Sequence, residues 1–226
     1  MIDIINNTYF KNEIYIPHAR PSISDSVQDV QSEIVDFIRE YSRDCLVKCF
    51  GLTLFLDFES RLDDSSLDLI GAGEDVKWSE LMNGKLYNDP LTDLPVQWKG
   101  IRYKSLSTGE YDKSFLANYV YFFYEKNDHI VRSEAGDVKL EAKNAQLVGP
   151  TEKVVKAWRK FYEIVQGDTF VSRVYDFGNA YGVDYFIDSN QEVSLYKFIT
   201  DMNTLAEDTY PDFNPKKWEN INRLGL

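Results

Sequence analysis

Apolar residues recur at steps of three and four along five stretches of the chain, the spacing of one face of an α-helix. The clearest stripe runs from Val27 to Cys49, after candidate capping side chains at Ser24-Asp25-Ser26. Gly51 is a residue suited to end this helix. The predicted helices are Val27 to Phe50, Leu52 to about Leu62, Asp112 to Lys126, Pro150 up to Gly167, and Ser194 to Glu207.

The helix Asp112 to Lys126 is apolar nearly all round, which predicts a buried, central position. Beyond it, Ile130-Val131 and Val138 to Ala142 flank the turn residues Glu134 to Asp137. The second arm alternates apolar and polar residues, so we expect a β-hairpin over residues 130–142. The pattern therefore predicts a mainly α fold, a bundle-like set of helices with one small hairpin.

Two stretches show no sustained period. Residues 63–110 carry many turn signals, and we expect an irregular region with one short helix near Trp78 to Met82. Residues 168–193 are rich in Tyr, Gly and Asp, with Tyr185-Phe186-Ile187 as a candidate strand. We divide the chain into a helical domain at 1–167, which contains the irregular region and the hairpin, and a C-terminal extension at 168–226.

Both ends of the chain are apolar but lack a helical period. Pro17 and Pro21 disfavour helix in the first segment, which we expect to be an extended arm or a short strand. The tail from Tyr210 contains Pro211 and Pro215 and cannot be helical near them. It still carries Phe213, Trp218 and other apolar residues, so we expect it to pack on something.

Charge and composition remove several classes of protein. The 226 residues include 25 Lys and Arg against 37 Asp and Glu, giving a net charge of −12. An acidic chain lacks the basic surface of a nucleic-acid binder. No apolar run is long enough for a membrane helix, and no secretory signal is visible. Two cysteines make no disulfide framework, so a reducing compartment is expected.

Candidate chemistry is sparse. Cys45 and Cys49 are one helical turn apart and read either as half of a metal or redox site or as two small buried residues, with the second favoured. His18 and His129 lie in expected turns and share no ligand spacing. We predict no metal, cofactor or catalytic residues, since a zinc site needs about four ligands.

Several acidic pairs occur, but none has the fixed spacing of a known metal loop or the two positioned groups of a glycosidase. The Gly71-Ala72-Gly73 stretch precedes two acidic residues, which would repel a phosphate, so a dinucleotide loop is not expected. The acidic pairs are Asp57/Glu59, Asp63/Asp64 and Glu74/Asp75.

The high number of aromatic residues is the one feature of the composition that points to a function. The chain has 15 Tyr, 14 Phe and 4 Trp, which either fill its own core or form contacts with other subunits. Tyr, Trp and Phe are enriched at interfaces. We predict that aromatic residues of the arm and the tail form an assembly interface, namely Tyr9, Phe10, Tyr15, Phe213 and Trp218.

The order of several apolar motifs resembles a family of structural proteins from tailed phages and prophages of Bacteroidetes-type hosts, the head–tail connector or neck adaptor proteins. The resemblance spans most of the chain, and only the order of the motifs is informative. They are Tyr9-Phe10-x-x-Glu13-Ile14-Tyr15-Ile16-Pro17, Phe37-Ile38-x-x-Tyr41, Cys45-Leu46-x-x-Cys49-Phe50-Gly51-Leu52-x-Leu54-Phe55, Leu81-Met82-Asn83-Gly84-x-x-Tyr87, Gln97-Trp98-Lys99-Gly100-Ile101, Asn118-Tyr119-Val120-Tyr121-Phe122-Phe123-Tyr124, Ala142-Lys143-Asn144-Ala145, the Trp158 helix, Ser194-Leu195-Tyr196-x-Phe198-Ile199, Tyr210-Pro211-Asp212 and Asn220-Ile221-Asn222-x-Leu224-Gly225.

The resemblance implies a mainly helical adaptor that assembles as a ring between portal and tail, in the neck of the virion, after synthesis in the bacterial host cytoplasm. Its partners would be copies of itself, a portal-like protein and a tail protein, with no specific nucleic-acid binding, no membrane and no enzymatic activity. One departure is Cys49-Phe50-Gly51, where a Leu-Leu-Gly-Tyr type of helix end is usual in the family.

Two other functions remain open from the sequence. The first is a hydrolase that uses a pair of carboxylates. The second is a different phage assembly factor, such as a tail-completion protein.

Overall fold

The structure, a computed structural model, describes residues 4–16, 28–62, 76–103, 114–128, 131–133, 136–138, 150–167, 192–207 and 209–219. Six α-helices lie in these ranges: α1 Gln28–Phe50, α2 Leu52–Ser60, α3 Val76–Asn83, α4 Phe115–Asp128, α5 Pro150–Val165 and α6 Leu195–Leu205. The fold is mainly helical, as the apolar period predicts.

In the same described ranges, four short strands form two antiparallel hairpins. In the first, β1 (Lys85–Asn88) pairs with β2 (Pro95–Trp98). In the second, β3 (Val131–Ser133) pairs with β4 (Gly136–Val138), which confirms a small hairpin inside 130–142. The first hairpin lies in the region 63–110 that was expected to be irregular apart from one helix. That expectation was wrong because strands of four residues are too short to establish a period in the sequence.

Helix α4 lies at the centre of the bundle, packed against α1 and α5. Every residue from Ser114 to Tyr121 is buried, because apolar side chains point from all sides of this helix. Asp44 of α1 accepts hydrogen bonds from the Tyr119 hydroxyl of α4 at 2.7 Å and from Lys48 at 2.6 Å. The prediction of a central helix here is confirmed.

Local sequence explains where several helices begin and end. The amide of Gly51 donates to Val47 O at 2.9 Å, and α2 begins at the next residue. Pro150 opens α5, where its missing N–H would have had no partner. The Ser194 hydroxyl accepts from the Lys197 amide at 3.3 Å and caps α6.

The described part of the N-terminal arm, residues 4–16, is neither extended nor a strand, in contrast to the expectation. It forms two 3-10 helices, Asn7–Tyr9 and Asn12–Ile14, and packs on the helices. Six of its side chains are in the core, which is why a short-range turn structure replaces an open arm: Ile4, Ile5, Tyr9, Phe10, Ile14 and Ile16. The tail has no helix from Thr209 to Glu219, as its prolines predict.

Several predicted features lie outside the described residues. They include His18, His129, the acidic pairs at 63–64 and 74–75, the Gly71-Ala72-Gly73 stretch and the candidate strand at 185–187.

Candidate functional site

The five residues assigned to an assembly interface lie in two kinds of position. Tyr9 and Phe10 are buried, and the Tyr9 hydroxyl donates to Arg102 O at 2.9 Å. Trp218 is buried, and Phe213 is partly buried against the core. Tyr15 is 54% exposed. Four of the five rings therefore contact this chain's own core, and Tyr15 is available at the surface.

The first hairpin is anchored to the core through buried aromatic side chains. Its inner face consists of Tyr87, Val96 and Trp98, all buried. The Trp98 indole donates to Leu81 O at 3.0 Å and stacks on Phe198 of α6 with ring centroids 5.6 Å apart. Burial of such rings is the main stabilising contribution of an aromatic side chain. The hairpin is thus held between α3 and α6.

A buried charged network joins the turn of this hairpin to α6. Lys197 Nζ lies 2.7 Å from Asp89 Oδ2 and 3.1 Å from Asp201 Oδ2. The Tyr87 hydroxyl donates to Asp201 Oδ2 at 2.7 Å. The side chains of Lys197, Asp89 and Asp201 are only 16%, 2% and 6% exposed. Burying one cation between two anions requires this dense set of hydrogen bonds, because each unpaired charge would lose its hydration.

Burial and hydrogen bonding shift the two carboxyl groups in opposite directions. For Asp201, burial raises the pKa above its usual value and outweighs the lowering effect of Tyr87 and Lys197. For Asp89, burial also acts upward, but the hydrogen bond from Lys197 and the amides of Leu91 and Thr92 hold the pKa below its usual value. Asp89 therefore stabilises the fold as an anion, whereas ionised Asp201 carries a penalty.

These opposite shifts predict opposite pH dependences for two variants. The stability that wild type gains over Asp89→Asn should be fully present above pH about 4, the unfolded pKa of Asp, and lost as pH falls through the lower folded pKa. The stability of wild type relative to Asp201→Asn should decrease as pH rises from about 4 through the higher folded pKa. Urea unfolding between pH 3 and 7 measures both differences. Parallel slopes for the two variants would contradict the assignment.

Asp89 also fixes the turn between β1 and β2. Its Oδ1 accepts from the Leu91 amide at 2.8 Å and the Thr92 amide at 3.2 Å, a local cap typical of Asp in turns. Its own amide donates to Leu94 O, and its carbonyl accepts from the Asp93 amide. A turn that is tied to itself and to α6 holds its exposed side chains in fixed positions.

Those exposed side chains are apolar. Leu86 is 70% exposed, Leu91 68% and Leu94 50%, and Pro95 is exposed beside them. Leu86 lies on the face of β1 opposite to Tyr87, because alternate residues of a strand point to opposite faces. We call Leu86, Leu91 and Leu94 the hairpin leucines. Exposed apolar residues grouped on one ordered element are typical of an interaction surface.

Sequence reasoning missed these leucines because it took 63–110 as irregular. The only signal is weak: in Lys85-Leu86-Tyr87-Asn88 two adjacent apolar residues lie between polar ones, and the stretch runs directly into Asp89-Pro90. Because Leu86 and Tyr87 are adjacent, the sequence does not show which of the two faces the core.

The other candidate groups have structural partners. Asp57 lies 3.8 Å from Arg61 and 3.9 Å from Lys77, while Glu59 lies 3.8 Å from Arg43. These pairs are partly exposed, where an ion pair contributes about 0–1 kcal/mol. Asp89 and Asp201 are the best-buried carboxyl pair described, but Lys197, Tyr87 and backbone amides bind their oxygen atoms. This favours a structural role over a hydrolytic one.

Cys45 and Cys49 are both free and fully buried, with their sulfur atoms 3.9 Å apart. This matches the favoured expectation of two small buried residues on the stripe of α1. Within the described ranges, no group of three or more His, Cys, Asp or Glu side chains is placed to hold a metal ion.

Comparisons of the chain with family models, with curated proteins and with solved structures found no match. Of the helices in the described part of the chain, none combines the length and apolar character needed to cross a membrane.

Proposed function

We propose that this chain is a structural subunit of a phage particle, a head–tail connector or neck adaptor that assembles as a ring with copies of itself between a portal-like protein and a tail protein. The order of the sequence motifs supports the phage family. One structural observation supports an assembly role: three leucines project from a hairpin whose turn is tied to α6 by a buried ion pair.

The anchoring of the first hairpin favours the binding of a partner protein. A surface that is already ordered loses little conformational entropy when a partner docks on it. Leucines that are half or more exposed gain apolar burial on association, at about 25 cal/mol per Å². The hairpin leucines therefore act as the docking element of the subunit, and Tyr15 adds one exposed aromatic ring on the N-terminal arm.

The net charge of −12 is compatible with a place along a DNA channel. Like charge lowers affinity for phosphates, so DNA passes without being held. In this proposal the chain has no catalytic activity and resides in the virion neck.

We predict that replacing the three hairpin leucines by serine weakens association with itself or with a portal partner by at least about tenfold, because apolar anchors dominate interface energies. The monomer should stay folded, since exposed substitutions change stability by about 0.5 kcal/mol or less each. Mass measurement across a concentration series, with and without a portal protein, gives the affinity.

Leu52→Ser/Leu56→Ser is the matched control, because these α2 leucines are 58% and 48% exposed but lie outside the hairpin. Equal weakening by both sets of substitutions would reject the hairpin as the docking element. A wild-type chain that stays monomeric with every partner would reject the connector itself.

A further inference from the structure

The last described segment of the chain, Phe213 to Glu219, contacts four helices, α1, α4, α5 and α6, and we call it the strap. Its Asn214 amide donates to Phe50 O at 3.0 Å, and its Lys216 amide donates to Lys48 O at 2.7 Å. The two acceptors are carbonyl groups of the last turn of α1. The last carbonyl groups of an α-helix find no N–H donor within the helix. The strap supplies the missing donors at the end of α1.

Trp218 anchors the far end of the strap. Its ring lies 4.9 Å from Phe161 and 5.8 Å from Tyr119, between centroids, and its amide donates to the side chain of Gln166 at 2.8 Å. Its indole N–H donates to the Tyr196 hydroxyl at 2.7 Å. That same hydroxyl donates to Lys216 O at 2.7 Å.

Tyr196 is near a thiol as well as the strap. Burial and, after it, the neighbouring Cys49 raise the pKa of the Tyr196 hydroxyl, the group that carries the two bonds to the strap. Cys49 in turn lies 3.9 Å from Cys45 between sulfur atoms. The strap is thus bound to the turn of α1 that carries Cys49, and both sulfur atoms are fully buried.

The spacing of the two cysteines permits a disulfide only if the last turn of α1 changes. Residues four apart in a helix have Cα atoms about 6 Å apart, inside the range for a disulfide. Their Cβ atoms are about 5–6 Å apart in a regular helix, whereas a disulfide needs about 3.5–4.5 Å. Closing the bond must therefore shorten the turn whose carbonyl groups hold Asn214 and Lys216.

We infer that Cys45 and Cys49 form a redox-sensitive pair gated by the strap, in which a peroxide oxidises the two thiols to a disulfide and the strap is released. One thiol loses its proton, and its thiolate attacks a peroxide oxygen and breaks the O–O bond, giving a sulfenic acid and a hydroxide that takes up that proton as water. The second thiol attacks the sulfenic sulfur, giving the disulfide and a second water. Two electrons pass from the sulfur atoms to the peroxide, so the reaction balances with hydrogen peroxide as the oxidant.

Burial explains why opening of the strap would control the reactivity of the two thiols. The thiolate is the reactive form, and burial together with the neighbouring Cys49 raises the pKa of Cys45. Both sulfur atoms are shut off from solvent and Cys45 is held as the thiol, so the pair does not react while the strap is closed and reacts when it opens. Coupling of this kind is reciprocal, so a disulfide must weaken the strap by as much as an open strap favours the disulfide. Release also exposes Phe213 and Trp218, the two tail residues assigned to assembly from the sequence.

The first test measures the rate of oxidation of the full-length reduced protein by hydrogen peroxide. Intact mass after alkylation of free thiols reports the disulfide as a loss of about 2 Da and two unalkylated cysteines. Trp218→Ala should react at least about tenfold faster than wild type, because it opens the strap. Tyr196→Phe, which keeps the ring, should also react faster. Lys217→Ala, an exposed strap residue, should react like wild type.

The second test measures the strap itself by trypsin cleavage after Lys216 and Lys217. Oxidised wild type should be cut at least about tenfold faster than reduced wild type, and Cys45→Ala should be cut at the same rate with or without peroxide. The inference fails if the disulfide forms only in denatured protein, if Trp218→Ala and Tyr196→Phe oxidise at the wild-type rate, or if the disulfide leaves cleavage unchanged.

Discussion

Replacing Lys197 by methionine should destabilise the fold by about 3–5 kcal/mol, the usual result of removing one partner from a buried ion pair. Methionine keeps much of the length of the lysine stem but leaves Asp89 and Asp201 buried without a cation. Their side chains are 2% and 6% exposed, so water cannot replace the ammonium group. Urea unfolding at pH 7, followed by circular dichroism, measures the loss.

Two further variants separate the charge effect from packing. Lys85→Met removes a lysine whose pair with Glu80 is 31% and 25% exposed, and should cost no more than about 1 kcal/mol. In an Asp89→Asn/Asp201→Asn background, Lys197→Met should cost much less than in wild type, because no buried anion remains. A full loss in that background would show that lysine packing, and not charge, holds the hairpin.

Replacing Gly100 by alanine should destabilise the fold by about 2–5 kcal/mol, the sum of a left-handed conformation and overpacking. Gly100 has a φ of 88°, a region that disfavours side chains. A Cβ there would lie 2.5 Å from Asn83 C and 2.6 Å from Gly84 N, so it would meet backbone that cannot move aside. The expected consequence is loss of the hairpin base next to α3, seen as lower thermal and urea stability.

Gly167→Ala is the matched control. Gly167 has nearly the same φ of 86°, but a Cβ there would meet only Ser194 atoms at 3.6 and 3.7 Å, which is ordinary contact. It should cost about 1–2 kcal/mol from conformation alone. The difference between the two variants is the energy of the close approach at the hairpin base. Equal losses would mean that the approach contributes nothing.

The helices that were predicted from long apolar periods in the sequence are present in the structure. The stripe of α1 extends over 23 residues, and Gly51 follows its last residue as predicted. The all-round apolar character of α4 predicted its burial. These features depend on contacts between residues three or four apart, so the sequence records them locally.

Short elements, and features that depend on contacts between distant parts of the chain, were not predicted from the sequence. The N-terminal arm looked extended because Pro17 and Pro21 follow it, yet its 3-10 turns form where six apolar side chains reach the core. The hairpin leucines look like any other scattered apolar residues in sequence. Their exposure depends on Asp89 meeting Lys197, more than 100 positions away along the chain.

The sequence by itself determined the helical class, the approximate positions of the long helices, the central position of α4 and the acidic, aromatic character of the chain. Tertiary structure alone decided which aromatic residues fill the core, which leucines stay outside, and that the strap binds the turn of α1 that carries Cys49. The physical reason is range: helical periodicity comes from neighbours within one turn, whereas burial and ion pairing depend on segments that meet only after the whole chain has folded.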